Sequence, residues 1–244
     1  MTLDGRVVLV TGGARRLGRA IALALAERRA RVAFSYRTSA REARQTLAAL
    51  ERLGAEALAI RADLSRADEV RRLIERVRRR FGRLDVLINS AATFDRTPFG
   101  ALTERDWDRA LDANLKGPFL CALYASRLMR ARGGGKIINL ADWAAVRPYR
   151  DYLPYCVSKA GVLGLTRALA KELAPGIQVT AIAPGPILPP GRMSQAARER
   201  IARRVPLGRW GDPQDIVNTV LFLIEGTDFM TGSTIFVDGG QLIA

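Results

Sequence analysis

The chain contains no histidine, and that absence removes much of the usual catalytic repertoire. A Ser-His-Asp triad, a Cys-His pair and histidine-ligated metal centres are all excluded, so proton chemistry must rest on Tyr, Lys, Asp, Glu or Cys. No metal site is expected. Cysteine is nearly as scarce, with only Cys121 and Cys156, both in helical patterns and without C-x-x-C or metal-ligand spacing. They read as small buried apolar residues, which suits a reducing compartment. Also missing are an apolar run near the ~18 residues that cross a bilayer and a basic leader followed by an apolar stretch at Met1. A soluble, cytoplasmic protein is the expectation. No repeat, linker or low-complexity segment interrupts the 244 residues, and 48% hydrophobic content suffices for one large α/β domain over residues 1–244.

What is plentiful is positive charge. The net charge is +15, almost all of the excess arginine, which invites a nucleic-acid reading because clustered arginine neutralises phosphate. The distribution argues otherwise. From Val70 to Phe81, Val70, Leu73, Ile74, Val77 and Phe81 repeat at helical spacing, while Arg71, Arg72, Arg76, Arg78, Arg79 and Arg80 fill the other faces. That is a solvated helix surface, so no specific nucleic-acid partner is expected.

Period switches give the order of elements. Val7 to Val10 is a short apolar run ending at Thr11-Gly12, and Leu17, Ala20, Ile21, Ala24 and Leu25 then repeat as a helix. Further strand-like runs fall at Val32 to Phe34, Ala57 to Ile60, Val86 to Ile88, Lys136 to Leu140, Val179 to Ile182 and Thr234 to Val237, with helical patterns between. Alternating β and α at this rhythm predicts a Rossmann-type, doubly wound parallel sheet of about seven strands with helices on both faces. The basic segment Arg192 to Arg204 is an insertion that such a sheet does not require.

Two stretches carry chemistry. Tyr155 and Lys159 lie four apart at a helix start, so they share a face. An ammonium there would lower the phenol pKa from near 10 and make the pair an acid/base device. The same spacing also suits an exposed tyrosine stacked on a lysine stem. The first strand-to-helix turn, Thr11-Gly12-Gly13-Ala14-Arg15-Arg16-Leu17-Gly18, has the glycines that let a pyrophosphate approach and a helix N-terminus to hold it. A tight turn without ligand is the plainer alternative.

Taken in order, Thr11-Gly12 with Gly18, Asp63-Leu64, Asn89-Ser90-Ala91-Ala92, Asn114, Tyr155 with Lys159, Pro184-Gly185 and Val237-Asp238-Gly239-Gly240 make the chain resemble the short-chain dehydrogenase/reductase family over essentially its whole length. The resemblance implies a nicotinamide cofactor held by Gly12, Arg15, Arg16, Leu17, Gly18, Asp63, Leu64, Asn89, Ser90, Ala91, Pro184 and Gly185. It also implies that Tyr155 donates a proton, Lys159 holds the nicotinamide ribose and Asn114 orders a water leading to Lys159. The plainer alternative for Asn114 is a polar residue kinking a helix, and for Asp63 a strand-end turn residue. Many relatives are tetramers, so a homotetramer is expected. Tyr36, followed by Arg37, Thr38 and Ser39, stands where NAD-preferring relatives carry an acid, which points to NADPH.

Three departures from the commonest family pattern occur together. Arg16 replaces the middle glycine of the turn, the segment after the fourth strand reads Ser90-Ala91-Ala92-Thr93-Phe94, and Asp142 stands in the usual place of the catalytic serine. All three resemble the pteridine reductase branch, as do Ser35-Tyr36-Arg37-Thr38-Ser39 and Thr97-Pro98. The chemistry agrees with that branch, because a carboxyl beside Tyr155 can serve a basic ring nitrogen, whereas serine suits a carbonyl oxygen. The resemblance thus implies a small-molecule substrate met by Arg16, Phe94, Asp142 and Tyr155, with Phe94 stacking on a flat ring. The plainer alternative for Phe94 is a loop residue closing the core edge, and for Arg16 a surface arginine. Two other functions remain open: an NADPH-dependent carbonyl reductase, such as a 3-oxoacyl-thioester reductase, and a non-catalytic NADP(H)-binding regulator. The segment from Pro186 to Arg204 is the expected substrate lid.

Overall fold

Short runs of apolar residues without polar alternation need cover on both faces, and each of them forms a strand of one parallel sheet. The computed structural model describes residues 1–189 and 193–244. The strands are β1 (Val7–Thr11), β2 (Arg31–Tyr36), β3 (Ala57–Arg61), β4 (Val86–Asn89), β5 (Gly135–Leu140), β6 (Ile177–Pro184) and β7 (Thr234–Val237), in the seven-stranded order β3-β2-β1-β4-β5-β6-β7. All pairings are parallel, with Val8 opposite Val32 on one side and Val86 on the other. The helices are α1 (Arg16–Glu27), α2 (Ala40–Arg52), α3 (Ala67–Phe81), α4 (Glu104–Leu111), α5 (Gly117–Arg130), α6 (Leu153–Leu173), α7 (Gln195–Ala202) and α8 (Pro213–Leu221).

Alternate side chains of each strand enter different cores, as the period of two requires. Val8, Val10, Val32 and Phe34 pack with Ile21 and Leu25 of α1, Leu50 of α2 and Ile216 and Val220 of α8. Val7, Leu9 and Leu87 point the other way, onto Leu73 and Val77 of α3 and Cys121 and Met129 of α5. The apolar stripe expected over Val70 to Phe81 is buried on α3. Its arginines lie outside and pair along the helix, Arg78 and Arg79 with Glu75 and Arg72 with Asp68. Both cysteines are free and buried, and burial pushes the Cys121 thiol up to about 12, so its thiolate is not accessible near neutral pH. No helix among the described residues is long and apolar enough to cross a membrane.

One buried carboxylate ties the start of the sheet together. Asp85, entering β4, accepts a hydrogen bond from the Val7 backbone N–H at 2.9 Å and two from Arg83 at 2.6 and 2.9 Å, with Arg6 at 3.2 Å. Burial by itself would raise its pKa, but these donors outweigh it and hold the carboxyl below the ordinary range. A depressed folded-state pKa stabilises above the unfolded value near ~3.9, and that contribution disappears as pH falls through the folded value. Asp85→Ala should cost ~2–4 kcal/mol in urea unfolding at neutral pH, because two arginines and the Val7 N–H lose their partner. The gap to the parent protein should narrow as pH falls below the unfolded value near ~3.9 and on through the depressed folded one, and a pH-independent gap would reject the charge-based account.

Candidate active site

The strand order reverses between β1 and β4, so the loops that follow these strands leave a crevice at their carboxyl ends. Thr11 at the end of β1 spans it, its Oγ accepting from the backbone N–H groups of Ser90 at 3.0 Å and Ala91 at 3.1 Å. Gly12 follows with φ 67°, a left-handed conformation that glycine adopts without strain. A Cβ there would sit 2.8 Å from the Ala91 backbone, so a side chain cannot enter the turn. Helix α1 begins directly after, and its capping position, Arg15, makes no side-chain cap, which leaves the first N–H groups open to an anion.

These features open onto one large cavity of about 1850 Å³. Of the cofactor residues expected from sequence, Gly12, Arg15, Arg16, Leu17, Gly18, Tyr36, Arg37, Thr38, Ser39, Asp63, Leu64, Ser90, Ala91, Pro184 and Gly185 line it. Phe94, Asp142, Tyr155 and Lys159 line the same space, so the turn and the Tyr-Lys pair share one site. Asp63 also shows the turn geometry of its plainer reading, its Oδ1 accepting from Ser65 N at 3.0 Å and Ser65 Oγ at 2.7 Å. Arg16 donates to the carbonyls of Leu188 at 2.9 Å and Pro189 at 3.4 Å, tying the turn to the segment after β6. Of the expected lid, α7 is described, whereas Pro190, Gly191 and Arg192 lie outside the described residues.

One expectation needs correction. Asn89 does not line the cavity; it is buried, its Nδ2 donating to Asn139 Oδ1 at 2.9 Å, so it braces β4 against β5. Asn114 is also buried, in a π-helical turn after α4, and its amide bonds Thr93 and Ser158 rather than Lys159. Its bonds to Thr93 fix the loop that carries Phe94.

The pKa of Tyr155 moves opposite to the sequence expectation. Its hydroxyl donates to Asp142 Oδ2 at 2.6 Å, and burial together with the adjacent carboxylate raises the phenol well above 10. Lys159 cannot reverse this from where it sits. Its Nζ donates to the Leu140 carbonyl at 2.7 Å and lies 5.8 Å from the Tyr155 ring centre, and burial pushes its own pKa down to about 8 against the pull of Asp142. Asp142 is raised by its burial in spite of hydrogen bonds from Tyr155 and the Ala144 N–H. The phenol is therefore a kept proton rather than a ready phenolate, shared with a carboxyl that burial makes easier to protonate.

Several contributors were not picked out from sequence. Tyr149 Oη lies 3.4 Å from Asp142 Oδ1 and accepts from the indole N–H of Trp143, so Asp142 sits between two phenols. Phe94 stacks on Tyr152 at 4.5 Å and meets Tyr155 edge-on at 4.7 Å, with an aromatic wall rather than the core edge as its surroundings. The signal was present: of the chain's five tyrosines, Tyr149, Tyr152 and Tyr155 fall in one short stretch.

A parallel sheet with a glycine turn at its reversal point and a Tyr-Lys pair in the same cavity defines a dinucleotide-binding oxidoreductase fold. The family model described as enoyl-(acyl carrier protein) reductase matches residues 12–241. The 3-oxoacyl-(acyl-carrier-protein) reductase FabG of Staphylococcus aureus (strain Mu50) is 39% identical over 237 residues, covering 96% of each chain. The 3-oxoacyl-(acyl-carrier-protein) reductase of Synechocystis sp. is 37% identical over 244 residues, covering 99% of this chain and 98% of the relative. Among solved structures, a short-chain type dehydrogenase/reductase from Mycobacterium marinum superposes with a TM-score of 0.90 at 32% identity, covering 98% of this chain and 96% of that one. The chain belongs to the short-chain dehydrogenase/reductase family of oxidoreductases. Within it, the names of these relatives agree with the acyl-thioester alternative rather than with the pteridine reductase branch.

The electrostatics of the pair can be checked directly. In a pH titration of tyrosinate absorbance, the difference between the parent protein and Tyr155→Phe should show no phenolate from Tyr155 below about pH 10. A Tyr155 midpoint below about pH 9 in the ligand-free protein would restore the lysine-lowered phenolate.

Proposed function

We propose that the protein is a one-domain, NADPH-dependent reductase that delivers hydride to a carbon of a C=N bond in a flat nitrogen heterocycle of the pterin type. The observation carrying this reading is the 2.6 Å hydrogen bond from Tyr155 to Asp142, in the place where the commonest family pattern has a serine. A serine hydroxyl is a weak acid suited to a carbonyl oxygen, whereas a buried carboxyl with a raised pKa can give a proton to a basic ring nitrogen or balance its charge.

The residues present fit the dinucleotide. The Gly12 turn admits a backbone-close ligand, the uncapped start of α1 offers N–H groups to phosphate, and Arg37 after β2 suits a 2′-phosphate. NADPH, when bound, supplies the hydride. Tyr155 holds the proton on its Oη, and Asp142 and Tyr149 fix that oxygen's direction through one carboxylate. Lys159 is held by Leu140 at the floor of the site, in reach of a ribose. Phe94 and Tyr152 present an aromatic wall to a planar substrate.

A second reading, reduction of a 3-oxoacyl thioester, is supported by the names of the relatives at 37–39% identity. Asp142 weighs against it. The two separate in one assay of NADPH oxidation with a dihydropterin and with acetoacetyl-CoA. On the pterin reading, Asp142→Ser lowers dihydropterin turnover by ~10²-fold while thioester turnover changes by less than a few-fold or rises, a swing of ~2 kcal/mol or more. Thioester turnover without any pterin turnover in the parent protein decides for the second reading.

Cofactor choice is tested separately. The kcat/KM with NADPH should exceed that with NADH by ~10-fold or more, ~1.4 kcal/mol of binding to the extra phosphate, and Arg37→Ala should remove most of the difference. Parity of the two cofactors in the parent protein would dismiss the role given to Arg37.

A further inference from the structure

The substrate half of the cavity carries more positive charge than its carboxylates balance. Arg150 comes from the loop between β5 and α6 that also carries Asp142, and Arg200 and Arg204 come from α7 and the turn after it. The surface arginines of α3 have carboxylates of their own, and Arg109 in the cavity wall has Asp95 at 3.4 Å and Asp106 at 2.8 Å. Among the described residues, no carboxylate lies within ion-pair distance of Arg150, Arg200 or Arg204. The other acid in this half is Asp142, which already accepts from Tyr155 and Ala144.

These arginines are carried on an anchored frame. The segment just past Arg204 turns inward at buried Val205, and Leu207 N bonds the Gly239 carbonyl at 3.2 Å at the end of β7. Trp210, also in the cavity wall, donates its indole N–H to the Arg198 carbonyl at 2.9 Å and so ties α7 to the following loop. An arginine fork on such a support loses little freedom when it grips a carboxylate. Concentrating like charges around a concave site also raises the local concentration of an anionic ligand.

We propose that Arg150, Arg200 and Arg204 form a subsite for the carboxylates of a negatively charged tail, so that the preferred substrate is a reducible flat heterocycle bearing a carboxylate-rich side chain. This rests on the heterocycle reading above and narrows it. The ring lies at the Phe94 and Tyr152 end, beside Tyr155, and the tail runs to the cationic mouth. The arginines after β1 and β2 remain for the phosphates of the dinucleotide.

The test compares 7,8-dihydrofolate, whose tail carries two carboxylates, with 7,8-dihydrobiopterin, whose tail is uncharged, using the NADPH-loaded enzyme. The kcat/KM ratio should favour the tailed substrate by ~10-fold or more at low salt. It should shrink as ionic strength rises from ~0.01 to ~0.15 M, where the screening length falls from ~30 to ~8 Å. The ratio should drop by ~10-fold or more in Arg200→Glu/Arg204→Glu, and independently in Arg150→Glu on the other wall. A ratio near one that ignores salt and these substitutions overturns the subsite and leaves the pterin reading standing. Should neither pterin be reduced, the heterocycle reading fails, and calorimetry still decides the subsite. p-Aminobenzoyl-glutamate, the tail alone, should bind the NADP⁺ complex of the parent protein and lose that binding in the Glu variants. Absent binding, or equal binding in the variants, overturns it.

Discussion

The constraint on which the rest of the site depends is the gap between β1 and β4. Neighbouring strands of a parallel sheet are normally joined by crossovers on the same side, but here the chain order reverses, and the loops after the two strands diverge. Left alone, that divergence would expose backbone N–H groups at the sheet end. The Thr11 hydroxyl accepts from two of them, those of Ser90 and Ala91, and so sets the distance between the loops. The close approach of Gly12 to Ala91 and the position of α1 both follow from this spacing. One hydroxyl at the end of the first strand thereby fixes the floor against which a dinucleotide would lie.

The proton chemistry depends on what surrounds that floor. Burial disfavours the charged form of every group in the site, which raises Tyr155 and Asp142 and lowers Lys159. The phenol thus keeps its proton, while the carboxyl and the ammonium are both moved toward their neutral forms. The carboxyl is the hinge of the arrangement, since it touches both phenols and its charge determines how firmly each holds its proton. A serine in its place would contribute a hydrogen bond but no charge.

Much of this was legible in the sequence, for reasons that can be named. The central strands announced themselves because a doubly covered strand must be apolar on both faces, and Val70 to Phe81 because a half-buried helix must repeat at its own period. The glycine turn and the Tyr155-Lys159 spacing were legible because they are local: their geometry is decided within one turn of helix. The side-chain directions of Asn89 and Asn114 were not legible because polarity next to a motif does not reveal which way a side chain points. In both cases packing turned the amide inward, against Asn139 and against Thr93 and Ser158. The direction of the Tyr155 shift was missed for a related reason. Spacing brings Lys159 onto the same helical face, but the Leu140 carbonyl holds its ammonium away from the hydroxyl, and only the fold brings Asp142 to within 2.6 Å.

The relatives' names and the carboxyl beside Tyr155 bear on different parts of the chain. Identity of 37–39% over nearly the whole chain goes with a shared sheet, and one fold can carry different substrates. Substrate choice rests on far fewer positions, those facing the cavity beyond the cofactor floor, and they contribute little to an overall percentage. Asp142 faces that cavity at the centre of the proton network, and Arg200 of α7 lines it too. Where a single buried carboxyl stands in place of a neutral hydroxyl, the charge available to a transition state changes with its protonation. Asp142 and its two tyrosines are therefore where such a difference in charge would act on a bound substrate.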